Sequence, residues 1–374
     1  MNRIRRLEEL GQSVWLDHID HELIASGELE RLVWRDGLRG VTSNPTIFQK
    51  AIAGSQSYDA LLRDAAPSET DEALLERVMV RELTRACDVL RPVYDATGGG
   101  DGFASIEVAP SVASDCAGSV EQACRLWAAV ARPNLMVKIP GTQAGLPAIE
   151  SCLAHGININ VTLLFSVPRY REVVEAYFKA LEGRASRNEP VERIASVASF
   201  FVSRVDTKVD EALDALEGER RSAGRALRGK IGIANARLAY AEYERLYTSA
   251  RWKRLAARGA RAQRLLWAST STKDPEYPDV YYIDALAGPE TVDTMTPESF
   301  RAYLDHGDPA SRLEDGRDRA REQMEALASL GIDFSRVADE LEDEGVEKFA
   351  KSYDEAVKSI AAKRKRSGAP DPRH

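Results

Sequence analysis

Leu135-Met136-Val137-Lys138-Ile139-Pro140-Gly141-Thr142 holds one cation in a run that otherwise reads as a buried strand. Burying a lysine is expensive, because desolvation disfavours the ammonium and pulls its pKa down. A lowered pKa is what a lysine needs to attack a carbonyl and form a Schiff base. On this segment alone the plainer reading is a lysine at a strand end whose head reaches water. What lies on either side of it in the chain separates the two.

Outward from Lys138, short apolar or β-rich runs alternate with longer amphipathic stretches, the pattern of βα units around a parallel sheet. Strands are expected near residues 13–16, 40–43, 103–108, 135–139, 157–163, 194–202, 264–268 and 280–283. Eight such strands make a closed (β/α)8 TIM barrel, an α/β fold. Helices are expected over 20–34, 119–131, 145–154, 168–182, 206–216, 232–257 and 298–304, the last with Pro297 in its first turn. Helical sequence at 58–64 and 72–90 fills the interval from Asn44 to Phe103 as an inserted layer, and two long helices fill the interval from Arg204 to Arg264. Beyond Tyr282 the chain reads as helical, with well-patterned stretches at 315–330 and 346–363. The expected organisation is a single barrel domain over residues 1–363 with inserted and C-terminal helices. Residues 364–374, basic and proline-bearing, are expected to be a disordered tail.

Composition bounds the function. A chain of 374 residues with 44% hydrophobic and 29% charged residues has ample material for a large core. Its net charge of -8 argues against general affinity for nucleic acid or anionic membranes, while leaving room for a local basic pocket. No apolar stretch approaches the ~20 residues of a membrane span. Met1 to Leu10 carries charge without the apolar stretch of a secretory signal. Cys87, Cys116, Cys124 and Cys152 form no CxxC pair, which fits reduced thiols and a cytoplasmic place of work.

Active-site residues of a barrel lie at the C-terminal ends of its strands. The first six expected strands deliver Asp17, Asn44, Glu107, Lys138, Asn160 with Thr162, and Ser199 to that end. Lys138 with two carboxylates is the set for a nucleophilic amine served by separate proton-transfer groups. Each group has a plainer use: Asp17 as a helix N-cap, Asn44 as the turn residue before Pro45, Glu107 as partner of a surface cation. These alternatives lose weight jointly, because such groups would otherwise scatter over both ends of the strands.

Three ordered segments carry a family resemblance. Thr42-Ser43-Asn44-Pro45-Thr46-Ile47-Phe48 resembles the T-[ST]-N-P signature of the transaldolase family. Met136-Val137-Lys138-Ile139-Pro140-Gly141-Thr142, followed by Ala144-Gly145-Leu146, resembles the segment around its Schiff-base lysine. Asn160-Val161-Thr162-Leu163-Leu164-Phe165-Ser166 resembles its fifth-strand N-[LV]-T-L-x-F-S segment. The resemblance spans roughly residues 12 to 300 and implies a barrel that transfers a dihydroxyacetone unit between sugar phosphates without metal or cofactor. It implies Lys138 as the amine that attacks the C2 ketone, Asp17 as the base at the C4 hydroxyl, and Glu107 as a proton shuttle through a water that Thr162 helps to hold. Asn44 and Asn160 would bind the dihydroxyacetone unit, with Ser199 and Phe201 beside it. For the phosphate it implies Arg204, in a segment where Phe200 replaces a common proline. It also implies Ser269 and Lys273, in a segment where Ser271 stands at the place of a frequent arginine.

Donors would be sedoheptulose 7-phosphate or fructose 6-phosphate, and acceptors glyceraldehyde 3-phosphate or erythrose 4-phosphate, in the non-oxidative pentose phosphate pathway. The chain would act as a monomer or homodimer. One alternative is a fructose-6-phosphate aldolase of the same superfamily, in which relatives tend to carry a tyrosine where this chain has Phe201. Another is a catalytically silent sugar-phosphate-binding barrel. Weaker signals read as structural. The glycine-rich run Gly98 to Gly102 lacks the GK[ST] of a phosphate cradle and reads as a turn. His18 and His21 lack the further ligands of a zinc set.

Overall fold

A computed structural model describes residues 1–366. Eight parallel strands close a barrel in sequence order: β1 (Gln12–Leu16), β2 (Gly40–Thr42), β3 (Phe103–Glu107), β4 (Leu135–Pro140), β5 (Ile159–Leu164), β6 (Ser196–Phe201), β7 (Arg264–Ala268) and β8 (Thr291–Met295). β1 completes the ring by pairing with β8 along its whole length, Gln12 opposite Thr291 through Leu16 opposite Met295.

Strand periodicity sorts the interior into a floor and a mouth. Side chains two apart share a face. Trp15, Phe103, Met136, Val197, Leu266 and Val292, from six strands, pack together as an apolar plug inside the ring. Two residues further along β1, β4, β6 and β8 come Asp17, Lys138, Ser199 and Thr294, and these line an open cavity. On β3, Phe103 is followed at the same spacing by Ser105 and then Glu107. Gly40 leaves space for the Trp15 indole, since a Cβ there would stand 2.6 Å from it.

Below the plug, Asp101 accepts hydrogen bonds from Trp15 Nε1 at 2.8 Å and from Ser13, and Arg264 donates to Ser13 at 2.7 Å. The glycine-rich run is thus a turn that carries the buried Asp101 to the closed end of the barrel, far from the mouth.

The eighth strand departs from expectation. Residues 281–283 form part of the short helix Tyr281–Ala285, with Val280 at its N-cap, and the last strand begins six residues beyond that helix. Val-Tyr-Tyr-Ile has strong β propensity, but Tyr281 N–H bonds back to the Pro278 carbonyl and starts a helical turn that buries Tyr282 and Ile283. β8 reads Thr-Val-Asp-Thr-Met, with a carboxylate at its centre. Asp293 faces the outer layer, fully buried, and accepts from Thr270 Oγ1 at 2.9 Å. The chain beyond Tyr282 is therefore not wholly helical.

Helices form the outer layer and the insertions. Pro45–Gly54, Asp59–Arg63 and Asp71–Ala96 fill the interval after β2. Between β6 and β7 there are four helices where two were expected: Ser203–Asp214, Gly218–Arg225, Ile231–Tyr247 and Ala250–Ala256. The last helix, Phe334–Arg366, begins twelve residues earlier than expected and extends into the expected tail. Arg364 is buried there, donating to the carbonyls of Glu69 at 2.7 Å and Ala66 at 3.2 Å. The rest of the expected tail, 367–374, lies outside the described residues. Among the described residues no helix is long and apolar enough to cross a membrane.

Candidate active site

The mouth of the barrel opens into a cavity of about 530 Å³ that takes its walls from the strand ends, the helix Pro45–Gly54 and the helix Phe334–Arg366. Asp17, Asn44, Glu107, Lys138, Thr162, Ser199, Phe201, Arg204, Ser269 and Lys273 all line it. Asn160 does not. It lies one layer beneath, fully buried, accepting from Ser199 Oγ at 2.7 Å and donating to Ser105 Oγ at 3.1 Å.

Register aligns the central groups. Glu107 is paired with Lys138 across β3 and β4, and Lys138 with Asn160 across β4 and β5. Lys138 is only 8% exposed, so it does not snorkel. Its Nζ donates to the Ser43 carbonyl at 3.3 Å and lies 4.0 Å from Glu107 Oε2. Burial raises the Glu107 pKa from 4.5 to about 6; Lys138 and Arg204 work against that rise, and Asp17 adds to it. A carboxyl poised near neutrality can both give and take a proton. Asp17 is not a helix cap, since Asp20 fills that role by accepting from Leu23 N–H at 2.7 Å. Asn44 does cap its helix, accepting from Ile47 N–H at 3.1 Å, and its amide is on the cavity wall as well.

Two residues absent from the expected set support Asp17. Thr42 Oγ1 donates to Asp17 Oδ1 at 2.7 Å and lies 2.8 Å from Thr294 Oγ1. Thr42 stood within the quoted signature. Thr294 was hidden because the eighth strand was expected elsewhere; the mouth-facing position of the true strand would have revealed it.

Cations gather on the side of the cavity fed by β6 and β7. The Arg204 guanidinium lies 4.8 Å over the Phe201 ring, and burial pulls its pKa down against the attraction of Asp17 and Glu107. Burial, then Arg204, lowers that of Lys273, whose Nζ donates to Ser271 Oγ at 3.0 Å. Ser269 takes a left-handed backbone conformation with φ 58°, and its hydroxyl lies 2.9 Å from that of Ser203. Lys50 and Lys348 also line the cavity, each carried by a helix that sequence reading did not assign to the site. His18 is on the cavity wall as well, its Nε2 3.1 Å from Asp20 Oδ2, whereas His21 is engaged with Arg85 and Glu82.

A buried amine beside a protonatable carboxyl, a second carboxylate held by Thr42, and a cationic rim can condense with a carbonyl and break a bond in an anionic substrate. Comparison with known proteins agrees in kind. The family model described as transaldolase/fructose-6-phosphate aldolase matches residues 14–360. A Thermobifida fusca protein named transaldolase is 48% identical over 360 residues, covering 96% of this chain and 97% of its own. Transaldolases of Frankia alni, 46% identical over 369 residues (98% of this chain, 99% of its own), and Trichodesmium erythraeum, 43% over 373 residues (98% of each), are similar along their whole length.

Proposed function

The chain belongs to the transaldolase/fructose-6-phosphate aldolase family, and from that premise we infer that it transfers a dihydroxyacetone unit between sugar phosphates through an imine on Lys138. The observation that carries the reading is the buried Lys138 Nζ, 4.0 Å from a carboxyl whose pKa is raised to about 6, at the mouth of a barrel with a cationic rim.

The Lys138 amine attacks C2 of a ketose phosphate such as fructose 6-phosphate or sedoheptulose 7-phosphate. Glu107 gives a proton, relayed by a water beside Thr162, to the departing C2 hydroxyl, and the protonated imine forms. Asp17 takes the proton of the C4 hydroxyl. The C3–C4 bond then breaks, its electron pair flowing into the imine to give an enamine, and an aldose phosphate leaves. An incoming aldehyde, glyceraldehyde 3-phosphate or erythrose 4-phosphate, reverses these steps. One carboxylate cannot reach both hydroxyls, and the separate strands of Asp17 and Glu107 answer that need. Ser199 and Asn44 face the dihydroxyacetone unit, Asn160 fixes Ser199 from below, and Arg204, Ser269 and Lys273 hold the phosphate.

Phe201 favours transfer over release. A side chain with no hydroxyl, lying against Phe165 at 5.2 Å between centroids, offers no donor to orient a water toward the enamine. The reading puts this transfer in the non-oxidative pentose phosphate pathway of the cytoplasm.

Incubation with fructose 6-phosphate, with and without erythrose 4-phosphate, followed by borohydride reduction and peptide mapping, tests the reading. Product only with acceptor, and the adduct on Lys138, are expected. Free dihydroxyacetone at a comparable rate would favour an aldolase, and an unlabelled Lys138 would sink the imine.

A further inference from the structure

Three cations of the cavity come from three distant parts of the chain. Arg204 opens the helix after β6, Lys273 follows β7, and Lys348 comes from the last helix. Among the described residues none of them is within ion-pair distance of a carboxylate. Arg204 lies over an aromatic ring, Lys273 bonds a serine, and among the described residues Lys348 makes neither hydrogen bond nor ion pair. Three other cations at this helix are paired, Lys208 with Glu340 at 3.1 Å, Arg169 with Glu342 at 3.1 Å and Lys363 with Asp59 at 3.2 Å, and Lys351 and Lys358 are exposed to water, whereas Lys348 lines the cavity. Repulsion from Arg204, followed by burial and Lys273, holds the Lys348 ammonium below its ordinary pKa. Converging like charges with no carboxylate at ion-pair distance repel one another, a cost that an anion among them removes.

The fold holds Lys348 in this place deliberately. The ion pairs of Glu340 and Glu342 fix the start of the helix, and Lys363 Nζ fixes its end by donating to the Ile52 carbonyl at 2.9 Å. Between them Gly345 lets the helix approach β5, since a Cβ there would stand 2.9 Å from Leu163 Cδ2. Ser352 accepts from Thr46 Oγ1 at 2.9 Å, so the face carrying Lys348 is turned to the cavity.

We propose that Lys348 contacts the phosphate of the substrate as the third cation of the rim, which makes the last helix a working wall of the site and a determinant of selectivity for phosphorylated sugars. The proposal rests on the reading that the substrate is a sugar phosphate. It differs from that reading in what tests it.

Inorganic phosphate is titrated calorimetrically into the full-length protein and into Lys348→Ala, Lys348→Arg and the control Lys358→Ala, an exposed lysine of the same helix. Loss of one charge-assisted contact predicts roughly 10-fold or greater weakening in Lys348→Ala. Near-native affinity is expected in Lys348→Arg and unchanged affinity in Lys358→Ala. The KM for fructose 6-phosphate should rise by a similar factor in Lys348→Ala with kcat changed much less. Borohydride trapping of Lys138 by unphosphorylated dihydroxyacetone should be unaffected. Phosphate affinity in Lys348→Ala equal to that of the unaltered protein overturns the proposal, as does an unaltered protein that binds no phosphate. Failure to trap Lys138, with the affinity difference intact, removes the imine reading and leaves Lys348 supported as an anion contact.

Discussion

Replacing Glu107 by glutamine should make the protein more stable and far less active, and the stability gain should depend on pH. Burial lifts the Glu107 pKa from 4.5 to about 6. Below pH 4.5 the group is protonated in both folded and unfolded chains. Between the two values the folded chain binds more protons, so stability falls as pH rises through this window, and this group's contribution is fully lost above the folded pKa. The difference of about 1.5, at ~1.36 kcal/mol for each pKa unit, amounts to roughly 2 kcal/mol. Glutamine is neutral throughout and escapes that loss. Thermal unfolding at pH 7.5 should therefore show Glu107→Gln stabilised by about 2 kcal/mol, a rise of a few degrees. The gain should vanish at pH 4. Activity should drop by roughly 10²–10⁴, the usual contribution of a positioned proton-transfer group. A variant no more stable than the parent at pH 7.5 would refute the reasoning. It would show that the attraction of Lys138, 4.0 Å away, outweighs burial.

Three further outcomes are expected. Lys138→Ala should abolish the borohydride-trapped adduct, whereas Asp17→Ala should still form it and cleave slowly; equal loss in both would contradict the division of labour. Thr42→Val removes the 2.7 Å bond to Asp17 and should slow C–C cleavage roughly 10- to 100-fold with adduct formation intact, as read by single-turnover kinetics. Gly145→Ala would bring a Cβ within 2.1 Å of the Pro140 carbonyl, so denaturant unfolding should show a loss of about 2 kcal/mol or more and a disturbed end of β4.

Much of the barrel was legible because its strands announce themselves by composition. Seven of the eight are short runs of buried apolar residues, and Lys138 stands out in β4 because everything beside it is apolar. Period-2 alternation then carries Asp17, Glu107 and Ser199 to the mouth without any knowledge of the helices. β8 was illegible for the converse reason. Its central Asp293 has one oxygen bonded by Thr270, a partner that only tertiary packing supplies, whereas Val280 to Ile283 advertise a strand and Tyr281 to Ile283 lie in a helix. Lys348 and Lys50 could not be found by listing strand ends, because helices bring them to the cavity from outside the ring. Asn160 was expected at the site, but its place beneath Ser199 depends on hydrogen bonds that sequence does not show.

The ring closes by joining β1 to β8, residues at nearly opposite ends of the first three hundred, and the wall carrying Lys348 arrives later still. Growth of the chain on the ribosome therefore delivers the reactive amine early and its enclosure last. Until residue 295 is free of the tunnel, β1 has no second neighbour and the apolar plug has no sixth member. A chain interrupted before Phe334 would keep all eight strands and every group proposed to act on the imine. It would present them in a cavity without the wall that carries Lys348. Translation order brings this wall to the cavity only after the ring is complete.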